Sequence, residues 1–109
     1  MQQWDLRSLD VRAHHPEVLQ SDDEGRAILL ALPEGESLQE HQVHARTWMM
    51  VVGGEIELDH GGEVVEAGPG ALSVFGPGEH REVRARSAAR LLLLLAPWPG
   101  EGHPSRRSA

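Results

Sequence analysis

The sequence predicts an all-β fold, and three observations carry that prediction. Glycine and proline recur at short intervals, 12 and 7 of them in 109 residues, and leave segments too brief for ordinary helices. Several of those segments alternate apolar and polar residues with a period of two, as Glu55-Ile56-Glu57-Leu58-Asp59 and Glu82-Val83-Arg84-Ala85-Arg86 do. The longest apolar run, Leu91 to Ala96, is closed off by Pro97 and Pro99 and reads as a strand buried on both faces. About eight or nine short strands at regular spacing point to a sandwich or barrel.

Taken in order, Trp4 to Asp10 is a candidate edge strand, and Gly25-Arg26 to Leu32 is an apolar strand stopped by Pro33. Thr47 to Val52, Gly53-Gly54 and Glu55 to Asp59 read as strand, tight turn and strand, the clearest hairpin in the chain. His60-Gly61-Gly62 turns into Glu63 to Glu66, Gly68-Pro69-Gly70 into Ala71 to Phe75, and Gly76-Pro77-Gly78 into Glu82 to Arg86. In that last strand Val83 and Ala85 share one face while Glu82, Arg84 and Arg86 meet water. Arg90 to Ala96 closes the set. The expected organisation is residues 1–31 as N-terminal strands and loops packing on the barrel or on a partner subunit, 32–97 as the core barrel and 98–109 as a mobile tail.

Composition excludes several classes of function. The chain is large enough for one core and one pocket but not for two lobes that close on a substrate. Without cysteine there is no disulfide, thiolate metal site or cysteine nucleophile. Ten basic against 17 acidic side chains, net charge -7, argue against nucleic acid as partner. The start, MQQWDLRSLD, has no apolar targeting core and no run is long enough to cross a membrane, so a cytoplasmic protein with no membrane partner is expected. Ser37, Ser73 and Ser87 lack a nucleophile-elbow context, the Gly-Pro-Gly stretches are turns rather than phosphate cradles, and Asp22-Asp23-Glu24 lacks calcium-loop spacing.

The seven histidines are the remaining source of chemistry. His14, His15, His60 and His103 fall in loops, turns or the tail and read as solvated. His41, His44 and His80 lie at the mouths of predicted strands, where a barrel would bring them together, and converging neutral imidazoles suit a divalent first-row metal.

The order Gly35, His41, His44, Gly54, then Gly70, Pro77, Gly78, His80 resembles the two signature motifs of the cupin superfamily, over Leu32 to Pro97. The chain is most similar to small single-domain bacterial RmlC-like cupins that end in a Leu-rich strand and Pro-Trp-Pro-Gly, as Leu91 to Gly100 does. The resemblance implies a jelly-roll barrel, or double-stranded β-helix, often dimeric, with a ligand cavity inside. It does not imply a reaction, because that fold hosts oxygenases, isomerases, sensors and binding modules.

The metal positions of the motifs are altered. Thr47 stands where the first motif has glutamate, and its second histidine falls on Val43, with His44 one place beyond. Arg81 stands where the second motif has histidine, with His80 one place early. A one-residue offset sends a side chain to the opposite face of a strand. By parity with Val83, Arg81 points inward and His80 outward, unless a bulge in the Gly-Pro-Gly turn reverses them. Val43, Thr47, Met49 and Val51 share the inward side with His41, whereas His44, Trp48, Met50 and Val52 face away, unless His41 to Arg46 is a loop.

Three readings follow. In the first, His41, His44 and His80 hold Fe, Mn, Ni or Zn with help from Glu40 or Gln42, and an enzyme, if it is one, acts on a small molecule by Lewis-acid activation. In the second, no metal is bound, and a cavity lined by His41, Thr47, Met49, Val51, Arg81 and Val83 takes a small anionic molecule. In the third, the barrel is a structural or regulatory dimer. The outward face around Trp48 and Met50 is the expected surface for a homodimer, the alternative being burial under the chain's own N-terminal segment.

Overall fold

The computed structural model of the chain describes residues 1–38 and 45–98. Among the described residues lie β1 (Glu17–Ser21), β2 (Arg26–Leu32), β3 (Ser37–Leu38), β4 (Arg46–Gly53), β5 (Ile56–His60), β6 (Glu63–Ala67), β7 (Leu72–Phe75), β8 (Glu82–Ala85) and β9 (Ala89–Ala96), with no helix. They form two antiparallel sheets, one ordered β1-β2-β9-β4-β7 and the other β3-β8-β5-β6. The all-β expectation holds, and the two sheets enclose the core as a jelly roll does. No helix among the described residues is long and apolar enough to cross a membrane.

Period-two patterning sets which side chains meet between the sheets. On β4, Thr47, Met49 and Val51 are buried while Trp48 and Met50 are half-buried on the outer side. On β8, Val83 and Ala85 are buried while Glu82 and Arg84 are exposed. Ile56 and Leu58 of β5, Phe75 of β7 and Leu91 and Leu93 of β9 complete the inner cluster. Full burial of each large side chain of this kind contributes about 1.5–3 kcal/mol, so the inner parity of five strands dominates the choice of register.

The expected hairpin at Gly53-Gly54 is not one. β4 pairs with β7 and β9, whereas β5 pairs with β6 and β8, so the two glycines carry the chain from one sheet to the other. The corner needs glycine for two reasons. Gly54 has φ +78°, and a Cβ there would lie 2.2 Å from the Ala88 carbonyl oxygen. On the far side, the backbone N–H of Arg86 and of Ser87 both donate to the Glu55 carbonyl, at 2.8 and 3.3 Å. His60-Gly61-Gly62 does make a hairpin, with His60 opposite Glu63 and the Gly62 N–H on Asp59 Oδ1 at 3.2 Å. The two Gly-Pro-Gly stretches also cross between sheets.

Three further expectations are corrected. Trp4 to Asp10 forms turns rather than a strand, and Glu17–Ser21 supplies the edge of the five-stranded sheet instead. Ser37–Leu38, opposite Arg84 and Val83, adds a short edge to the other sheet. β9 is buried on its inner face only, since Leu92 is half-buried and Leu94 is 42% exposed.

The N-terminal segment lies against part of the outer face of the five-stranded sheet. Trp4, Leu6 and Arg7 line a groove with Met50 and Val52, and Arg90 Nη1 donates to the Leu6 carbonyl at 2.9 Å. Leu72, Val74 and Leu94 stay exposed on the same sheet. At its far end β9 passes through a cis Ala96–Pro97 peptide to Trp98, over which the Arg26 guanidinium sits 4.2 Å from the ring centroid.

Candidate functional site

The site grows from the ends of β4, β5, β7 and β8 that lie on one side of the barrel. β4 and β7 are paired so that Thr47 lies opposite Phe75 and Met49 opposite Ser73. β5 and β8 pair Leu58 with Val83 and Asp59 with Glu82 without a register shift, so the residues next in line are His60 and Arg81. Both belong by parity to the inner face.

Arg81 is the unusual member. It is 3% exposed, and its Nε and Nη1 are buried with no hydrogen-bond partner among the described residues. Its Cζ lies 5.0 Å from the Phe75 ring centroid. Burial pulls its pKa down from the ordinary arginine value, yet arginine keeps its proton in proteins, so the group remains a cation. A cation over a phenyl face recovers about 0.5–2 kcal/mol. Removing an ion of this kind from water costs several kcal/mol. The ring therefore falls short of offsetting the burial, and no described residue supplies the acceptor that the planar fork of donors fits.

Thr47 is fully buried, and its Oγ1 donates to the Ala45 carbonyl at 3.4 Å. Met49, Val51 and Val83 are each 1% exposed and form apolar wall. These residues of the expected cavity, with Arg81, thus lie on the inner face. His41 and His44, with Glu40 and Gln42, lie outside the described residues.

His80 is exposed while Arg81 is buried, so the two are not exchanged. Among the described residues no three histidine or carboxylate groups form a set that could hold a metal ion. At the two motif positions that are described, the donor chemistry does not fit a divalent cation: Arg81 is itself positive, and the Thr47 hydroxyl is committed to a backbone carbonyl.

His60, the last residue of β5, borders the site and is exposed, as expected of a histidine before Gly61-Gly62. The alternation Ile56, Leu58, His60 puts the imidazole on the inner side of β5. Its ring lies 6.4 Å from that of Phe75, tilted at 44°, and its Nε2 is 2.9 Å from Glu79 Oε2. Glu79 Oε1 accepts the Gly76 N–H at 3.0 Å. That backbone donor first, and then His60, hold the Glu79 carboxyl below the usual glutamate range. The pair sits in a groove of about 230 Å³ between the free edges of β6 and β7.

This architecture, with its inner cationic residue and altered motif positions, has clear relatives. A family model described as the Cupin domain matches residues 28–96, more than half of the chain, and the chain belongs to that family. Among solved structures it is similar to an RmlC-like cupin from Desulfovibrio desulfuricans, with 23% identity over 89% of this chain and 97% of that one and a TM-score of 0.79. A protein from Thermus thermophilus gives 23% identity over 89% and 98%, with a TM-score of 0.78. A cupin superfamily protein from Desulfitobacterium hafniense gives 14% over 84% and 85%, with a TM-score of 0.75. At these identities the likeness establishes the fold alone. No curated protein matches the sequence.

Proposed function

We propose that this cupin is a metal-independent binding protein for a small anionic molecule, held in its barrel by Arg81. The observation that supports the reading is the buried guanidinium whose Nε and Nη1 have no acceptor among the described residues. A carboxylate or phosphate presents two coplanar oxygens to such a fork, and charge-assisted pairs of this geometry are about twice as strong as neutral hydrogen bonds. Met49, Val51, Val83 and Phe75 exclude water from the surroundings, which strengthens the pair further. Thr47 narrows the space beside Phe75 but offers no charge that competes with the ligand.

Thermal unfolding of wild type and Arg81→Met tests the proposal, with acetate, benzoate, succinate and inorganic phosphate as probes. At least one anion should raise the wild-type Tm. At about one hundred times Kd the gain is about 2.7 kcal/mol, and each kcal/mol is worth about 4–8 °C in a domain of this size. Arg81→Met should abolish that response. It should also be more stable than wild type without ligand, by about 1–4 kcal/mol, because an apolar side chain replaces an unpaired buried charge. A variant that is less stable and still responds equally to every anion would overturn the reading.

A further inference from the structure

The groove between β6 and β7 has a chemistry opposite to that of Arg81. Leu58, Val65, Val74 and Phe75 give it apolar walls. Its ionisable groups are His60, Glu63 and Glu79. The Glu79 carboxylate can only accept, so the imidazole turns its Nε2–H toward it. In the neutral ring this leaves Nδ1 as a bare acceptor. No described protein group bonds to Nδ1. Ser73 adds a hydroxyl that donates or accepts. Charged acceptors therefore dominate the lining, and two carboxylates repel an anion.

The size of the groove limits the ligand. An apolar cavity of about 150 Å³ holds benzene, and the groove measures about 230 Å³. One substituted ring therefore fits in the groove. Phe75 offers that ring an aromatic neighbour, and Val65 and Val74, 49% and 46% exposed, would be covered by it.

We infer that this groove is a second binding site, distinct from the Arg81 site, for a neutral one-ring hydroxyaryl molecule whose hydroxyl donates to Nδ1 of His60, with Glu79 as the residue that positions the imidazole. The observations that carry it are the His60–Glu79 pair, the unused Nδ1 and the apolar walls of matching volume. His60 is the group that touches the ligand. Glu79 acts through it, tethered by Gly76, so that the free nitrogen faces a fixed direction.

Titration of the wild-type protein with phenol, followed by NMR of the His60 ring, tests the inference. Phenol should shift the Nδ1 resonance saturably, and anisole, which cannot donate, should bind about fivefold more weakly, the worth of one net hydrogen bond. Benzoate should leave the His60 signals unmoved. His60→Gln should lose the preference for phenol over anisole. Glu79→Gln should keep binding but change which ring nitrogen carries the proton, visible in the imidazole ¹⁵N shifts. Arg81→Met should bind phenol as wild type does, which separates this site from the anion site. Equal binding of phenol and anisole, tighter binding of benzylammonium than of phenol, loss of phenol binding in Arg81→Met, or no saturable shift at all would each overturn it.

Discussion

At the scale of single residues, the contrast between Arg81 and His80 decides the chemistry. Their order in the chain was enough to assign their faces, because Val83 and Ala85 are apolar and Glu82 and Arg84 are charged, and the buried and exposed classes follow that parity. What the order could not give was the lack of an acceptor for Arg81 among the described residues, which depends on what the neighbouring strands present to it. His60 is exposed, as its place before Gly61-Gly62 suggests, and differs from the expectation only in ending β5 rather than lying in the turn. Its partner Glu79 makes a pH-dependent tether. The folded carboxyl lies below the ordinary glutamate value of 4.5, so the tether contributes above that value and is lost as pH falls through the folded pKa. A ¹³C titration of Glu79 should give a midpoint below 4.5, and His60→Gln should leave most of the shift in place, since the Gly76 N–H is its larger cause. A midpoint at or above 4.5 in wild type would contradict the geometry.

At the scale of elements, the strands were legible and several connections were not. Gly53-Gly54 carries the turn chemistry of a hairpin, but a corner between sheets demands the same positive φ, and only pairing with distant strands tells the two apart. The edge strands β1 and β3 have no strong alternation and take their extended form from their neighbours, β2 and β8. The Gly54 corner gives a sharp test. Gly54→Ala would drive a methyl into the Ala88 carbonyl in a left-handed conformation and should cost about 2–4 kcal/mol in chemical denaturation. Gly53→Ala, with nothing within 4 Å of the new methyl and no positive φ, should stay within about 1 kcal/mol of wild type. Equal effects at the two positions would mean that the chain does not cross between sheets there.

At the scale of the whole molecule, a cupin barrel emerges from period-two patterning and from glycine and proline at the corners, and both are local signals. The candidate site draws on β4, β5, β7, β8 and the β7–β8 turn, and its assembly is non-local. Parity in the sequence put Thr47, Met49, Val51, Arg81 and Val83 on the inner face, where they are buried, but did not show that Phe75 lies between Arg81 and His60. The molecule that results has two adjoining environments, a buried guanidinium and a groove that carries His60, Glu63 and Glu79. Net charge -7 sharpens the contrast, because a free anion approaches this protein against its field and must be held by a specific pair.

The most direct measurement of the central claim is the NMR signal of the Arg81 Nε–H during titration with benzoate and, separately, inorganic phosphate. One of these anions should move that resonance saturably toward the position of a charge-assisted hydrogen bond while the other arginine Nε signals stay in place. An Arg81 signal that does not move while an anion binds elsewhere, or that is unmoved by either, would contradict that claim.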